Sequence, residues 1–84
     1  MFDYYFTFRS VTWAQRAEKA LVRNGLRVSI LRAPKFLSQK GCGYALRVRG
    51  GQGTQAAAIL RRDRALWDGV YRVYQDGTVE PATL

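Results

Sequence analysis

The stretch YYFTFRSVTWAQRAEKALVRNG, residues 4–25, runs through two hydrophobic periods in succession, and its reading decides the fold. From Tyr4 to Arg9 large and polar residues of high β propensity alternate, which puts Tyr4, Phe6 and Phe8 on one face and Tyr5, Thr7 and Arg9 on the other. That is a strand with one buried side. Thr12 and Gln15 then have the spacing of a capping box, and Ala14, Ala17, Ala20 and Leu21 recur at helical intervals until Asn24-Gly25 supplies a left-handed stop. The pattern predicts a helix from about Trp13 to Asn24.

Working outward, Val28 and Ile30 alternate with Arg27, Ser29 and Leu31, and the run closes at Ala33-Pro34, since proline has no amide to give a sheet. Residues 35–43 keep no period and end in Gly41-Cys42-Gly43, so they form a loop. Tyr44, Leu46 and Val48 alternate with Ala45, Arg47 and Arg49 in a third strand, which Gly50-Gly-Gln-Gly53 breaks before Thr54 caps a second helix holding Ala57, Ala58 and Leu60. Val70 to Tyr74 has strand composition, and Asp76-Gly77 is a two-residue hairpin turn into a short stub at Thr78 to Glu80.

The order β-α-β-β-α-β predicts an α+β, ferredoxin-like sandwich: an antiparallel sheet with both helices on one face and strands one and three at its centre. One domain over residues 1–84 is expected, with a C-terminal hairpin extension at about 75–84. Parity then assigns the helix-free face to Tyr5, Thr7, Arg9, Arg27, Ser29, Leu31, Ala45, Arg47, Arg49, Arg72 and Tyr74, a face with five arginines. Arg9, Arg47, Arg49 and Arg72 are the expected docking groups for an anion or an acidic partner.

Composition narrows the chemistry. The 84 residues are 48% hydrophobic and 24% charged, the balance of a folding domain rather than a disordered tail. The opening MFDYYFTF is too short to span a bilayer and lacks a basic leader and cleavage site, and the single cysteine cannot form an internal disulfide, so a reducing cytoplasmic setting is expected. Fourteen Lys and Arg against six Asp and Glu give a net charge of +8, which suits acidic partners, nucleic acid among them. With no histidine there is no Ser-His or Cys-His dyad and no ordinary zinc set; the six acids are scattered, so paired-carboxylate catalysis has no support. Neither a metal nor a cofactor is expected.

What survives is the thiol of Cys42. A thiolate can attack sulfur or selenium and hold it as a persulfide or its selenium counterpart without a base from its own chain, because the donor protein supplies the machinery. Gly41 and Gly43 would let a partner's active site approach, while Lys40 and Lys35 would favour the ionised form. A lone cysteine is also a common small core residue, and that reading stays open. Gly50-Gly-Gln-Gly53 lacks the Gly-Lys-Ser/Thr ending of a phosphate loop and is read as a plain turn.

Tyr4-Tyr5 with Phe8, the segment Ala14-Gln-Arg-Ala-Glu-Lys-Ala-Leu21, Pro34, and Cys42-Gly-Tyr-Ala-Leu-Arg47 together resemble a family of short bacterial selenium/sulfur carrier-like proteins, over about residues 4–74. The resemblance implies a compact α+β fold and a chalcogen-carrying cysteine, here Cys42. It also implies a donor of the cysteine desulfurase or selenocysteine lyase type and an acceptor protein, with the chain a carrier rather than a catalyst. Lys40-Gly41 stands where serines are common in that family. Two other readings compete. The RNA-recognition motif shares the topology, and Lys40-Gly-Cys-Gly-Tyr-Ala45 approaches its third-strand signature, although Cys42 replaces a stacking aromatic. A noncatalytic interaction subunit, with Cys42 merely structural, would use the same open face.

Overall fold

The computed structural model describes residues 1–34, 37 and 43–84. Along the chain come β1 (Phe2–Phe8), α1 (Val11–Arg23), β2 (Val28–Arg32), β3 (Tyr44–Arg49), a 3-10 turn (Gly50–Gln52), α2 (Gly53–Arg62), β4 (Gly69–Tyr74) and β5 (Val79–Pro81). The five strands form one antiparallel sheet in the order β2-β3-β1-β4-β5. β1 and β3 are both interior, as the crossover argument requires. The hairpin after β4 is more than a stub, since Val79–Pro81 pairs with β4 as a fifth strand.

One face of the sheet carries the core. Tyr4, Phe6 and Phe8 of β1, Leu46 and Val48 of β3 and Val70 of β4 join Ala14, Ala17, Ala20 and Leu21 of α1 and Ala56, Ala57, Ile59 and Leu60 of α2 in a single buried cluster. The alanines facing the sheet keep both helices close to it, and the larger side chains fill what remains. Burial of Phe6, Leu21, Leu46 and Leu60, all fully enclosed, stabilises the fold by about 1.5–3 kcal/mol each. Trp67 closes the cluster edge-on to Phe6, ring centroids 4.9 Å apart.

The helix ends obey local chemistry that differs in detail from the sequence reading. Ser10, not Thr12, caps α1, its hydroxyl accepting from the Trp13 amide at 3.4 Å, because β1 ends at Phe8 and the helix begins two residues earlier than expected. At the other end Gly25, with φ of +83°, closes a Schellman turn in which Leu26 N–H donates to Leu21 C=O at 3.0 Å. α2 repeats this turn with Ala65 donating to Leu60 at 2.9 Å, yet the left-handed position is Arg64, at φ 56°. No glycine signals that stop. Thr54 does not cap α2 either; the helix starts at Gly53 with no side-chain cap.

Two glycines, one opening the 3-10 turn and one opening α2, are set by packing. A Cβ on Gly50 would lie 2.6 Å from the Phe2 carbonyl oxygen, and one on Gly53 would overlap the Tyr4 ring. The glycine-rich stretch therefore serves close approach of the α2 start to β1, in keeping with a plain turn.

Register corrects the expected open face at β4. Phe6 faces Val70 and Tyr4 faces Arg72, so the core position of Val70 carries Arg72 and Tyr74 to the helix side as well. Arg72 and Tyr74, expected on the helix-free face, are replaced there by Tyr71 and Val73, opposite Tyr5 and Asp3. Arg72 is tolerated on that side because Glu80 of β5, directly across the ladder, pairs with it.

Candidate functional site

Of the residues expected to form the thiol site, Lys40, Gly41 and Cys42 lie outside the described residues, as does Lys35. Gly43 is described. Its carbonyl accepts the Ala33 amide at 3.1 Å, extending the β2–β3 ladder by one bond, and its φ of +154° is one that side chains rarely adopt. Gly43 thus has a backbone reason to be glycine apart from any approach by a partner. At the other end of the connection the Leu37 amide donates to Pro34 C=O at 2.9 Å, and Leu37 is buried.

The helix-free face gathers Arg27, Arg47 and Arg49, the first just ahead of β2 and the others on β3. Together with Asp3, Val28 and Ser29 they line a shallow concavity of about 430 Å³. Its geometry follows from register, since Ser29 faces Arg47, which faces Tyr5, which faces Tyr71, in one row across four strands. The next row holds Arg49, Asp3 and Val73. Asp3 and Tyr71 were missed by the sequence reading. Extending the β1 alternation two residues upstream of Tyr5 would have found Asp3, whereas Tyr71 depends on which side Val70 takes.

Arg9 and Arg72 do not join this group. Arg9 follows the end of β1 and pairs with Asp68 at 3.4 Å in an exposed bridge of small energetic weight. Arg72 Nε donates to Glu80 Oε1 at 2.8 Å, and the Tyr74 hydroxyl donates to the same oxygen at 2.7 Å. These two donors, Tyr74 first and then Arg72, hold the Glu80 carboxyl below its ordinary range, while the same bonds raise Tyr74 and Arg72. A carboxyl depressed by folding contributes stability above its unfolded pKa, about 4.3, and loses it as pH falls through the lower folded value. Asp76, depressed chiefly by the Thr78 amide, acts in the same direction. Glu80→Gln should therefore flatten the acid limb of a stability–pH curve below about pH 4.3. Urea titrations at several pH values read this directly, and an unaltered limb would detach Glu80 from acid stability.

The Tyr44 ring packs against the core, with the Arg32 guanidinium 5.7 Å from its centroid, so the third-strand aromatic of an RNA-recognition motif does not face out here. Among the described residues there is no cluster of three or more His, Cys, Asp or Glu side chains that could hold a metal ion. Among them, too, no helix is long and apolar enough to cross a membrane.

An α+β chain with a five-stranded antiparallel sheet, two helices and one cysteine is thereby defined. The family described as “Putative Se/S carrier protein-like” matches residues 3–72, and the chain belongs to it. No curated protein and no solved structure matches the chain.

Proposed function

We propose that the protein carries a sulfur or selenium atom on Cys42, received from a desulfurase- or lyase-type donor and passed to an acceptor. The observation that carries this reading is the family match, which spans Cys42, the chain's single cysteine. The strand order, with β1 and β3 interior, supports placing the frame among ferredoxin-like folds. A reducing cytoplasmic setting suits a thiol that must stay free.

The loading step is an exchange with no net redox change. The Cys42 thiolate attacks the terminal sulfur of a donor persulfide, a new S–S bond forms, the donor's S–S bond breaks, and the donor cysteine leaves as a thiolate. Lys40 favours the attacking anion, and Gly41 with Gly43 leaves room for the donor's active site. Delivery is the same exchange in reverse order, the acceptor thiolate attacking the outer sulfur. The test is intact mass after incubation of the reduced protein with a cysteine desulfurase and cysteine. The wild type should gain one sulfur atom and Cys42→Ser none.

A further inference from the structure

We infer that the Arg27, Arg47, Arg49 group and the adjoining tyrosine row form a binding surface for single-stranded nucleic acid, with phosphates on the arginines and bases on Tyr5 and Tyr71. Three observations carry this. First, Arg27, Arg47 and Arg49 are exposed and line one concavity, and among the described residues none of them has a carboxylate within ion-pair distance. The one acid there, Asp3, faces Arg49 across the ladder, so three cations are set against a single anion. Guanidinium groups held open in this way fork onto phosphate oxygens.

Second, the spacing suits a strand of phosphates. Arg47 and Arg49 sit two residues apart on the same side of β3, roughly 7 Å along an extended chain. That is comparable with the step between successive phosphates of an extended single strand. Arg27, just ahead of β2, comes next to Arg49 when the register in which Val28 faces Val48 is carried one residue further.

Third, the charge abuts aromatic rings. Tyr5 lies between Arg47 and Tyr71 in the cross-strand row, and both tyrosines are half-buried on the helix-free face. Tyr71 leans along its strand: a Cβ on Gly69 would lie 3.1 Å from the Tyr71 hydroxyl and 3.2 Å from its ring. Glycine at position 69 lets that ring lie down toward the sheet. Rings beside cations on a flat sheet are what splayed bases with a charged backbone require, because every base has a π-face to stack. An acidic polypeptide would use the arginines and leave the tyrosine row without a matching partner. The platform differs from that of an RNA-recognition motif in using β1 and β4, since Tyr44 of β3 is turned to the core.

This surface is independent of the thiol chemistry, and Cys42→Ser should bind as the wild type does. The test is fluorescence anisotropy with a labelled single-stranded RNA of about 12 nucleotides over a salt series. Three phosphate contacts predict a slope of log affinity against log salt of about −2. Arg47→Ala with Arg49→Ala should weaken binding about tenfold or more at low salt and reduce the slope by about 1.4. Tyr5→Leu and Tyr71→Leu should each weaken binding about tenfold at an unchanged slope. Circular dichroism confirms that these surface variants are folded. Undiminished binding by the arginine variant overturns the proposal, as does indifference to both tyrosine changes. Equal affinity for a polyglutamate peptide transfers the surface to an acidic protein and equally overturns it.

Discussion

Gly53→Ala should destabilise the protein by about 2–3 kcal/mol, and Gly53→Val by more, because either side chain must enter space held by the Tyr4 ring. The sign is the informative part. At an ordinary exposed helix start, replacing glycine by alanine stabilises by up to about 1 kcal/mol through helix propensity and the stiffer unfolded chain. Here Tyr4 cannot swing aside: it is 8% exposed, edge-on to Phe2 with centroids 5.2 Å apart, and followed along β1 by Phe6. The remaining relief is to lift the start of α2, which draws Ala56, Ala57 and Leu60 out of the cluster they share with β1. A domain of this length holds about 4–13 kcal/mol in total, so the valine variant should lose a large fraction of its stability. Urea unfolding measures the effect. Combining Gly53→Ala with Tyr4→Leu should cost less than the separate losses together, because the smaller side chain makes room for the new methyl. A Gly53→Ala protein as stable as the wild type would show that α2 does not rest on that ring.

Much of the architecture was legible because it rests on periodicity, and periodicity is local. The β1 alternation named Tyr4, Phe6 and Phe8 as core, the spacing of Ala14, Ala17, Ala20 and Leu21 gave the inner side of α1, and Asp76-Gly77 gave the last hairpin. The failures have physical causes of their own. At β4 the run Val70-Tyr-Arg-Val-Tyr74 is amphipathic in neither phase, since each face would hold aromatic or polar groups. The choice falls to the contact between Val70 and Phe6, which no local pattern contains. Arg72 follows Val70 inward, and Glu80, supplied by a strand expected only as a stub, makes that position affordable. The left-handed Arg64 escaped for the opposite reason: its conformation is imposed by the Ala65–Leu60 bond rather than by its own chemistry. The helix-free face was legible on β1, β2 and β3, where parity put Tyr5, Ser29, Arg47 and Arg49 on the side that the register shows, although the rows themselves depend on strand pairing. The thiol segment, Lys40 to Cys42, lies outside the described residues, and the role proposed for it rests on chemistry and family membership.

Cys42→Ser should abolish chalcogen loading outright, and in the wild type the pH dependence of thiol reactivity should show why. Attack on a donor persulfide needs the thiolate, so reactivity scales with the ionised fraction. A free thiol, with a pKa near 8.5, is about 3% ionised at pH 7, and lowering the pKa by one unit raises this to about 24%. Under the proposed function Lys40, two residues before Cys42 in sequence, and the excess of cations over the whole chain would act in that direction, since positive charge favours the anion. The rate of alkylation by iodoacetamide should accordingly titrate with a midpoint below about 8.5 in the wild type. Lys40→Glu should move the midpoint upward and slow alkylation at neutral pH several-fold, with added salt narrowing the difference by screening. Mass spectrometry of the alkylated protein over a pH series reads both. A midpoint above the free value would mean a thiol kept neutral by apolar surroundings, which is the behaviour of a core cysteine and incompatible with carriage, whatever the family name suggests. A midpoint at or below it, coupled to a sulfur adduct that vanishes in Cys42→Ser, would tie ionisation to loading at the same atom.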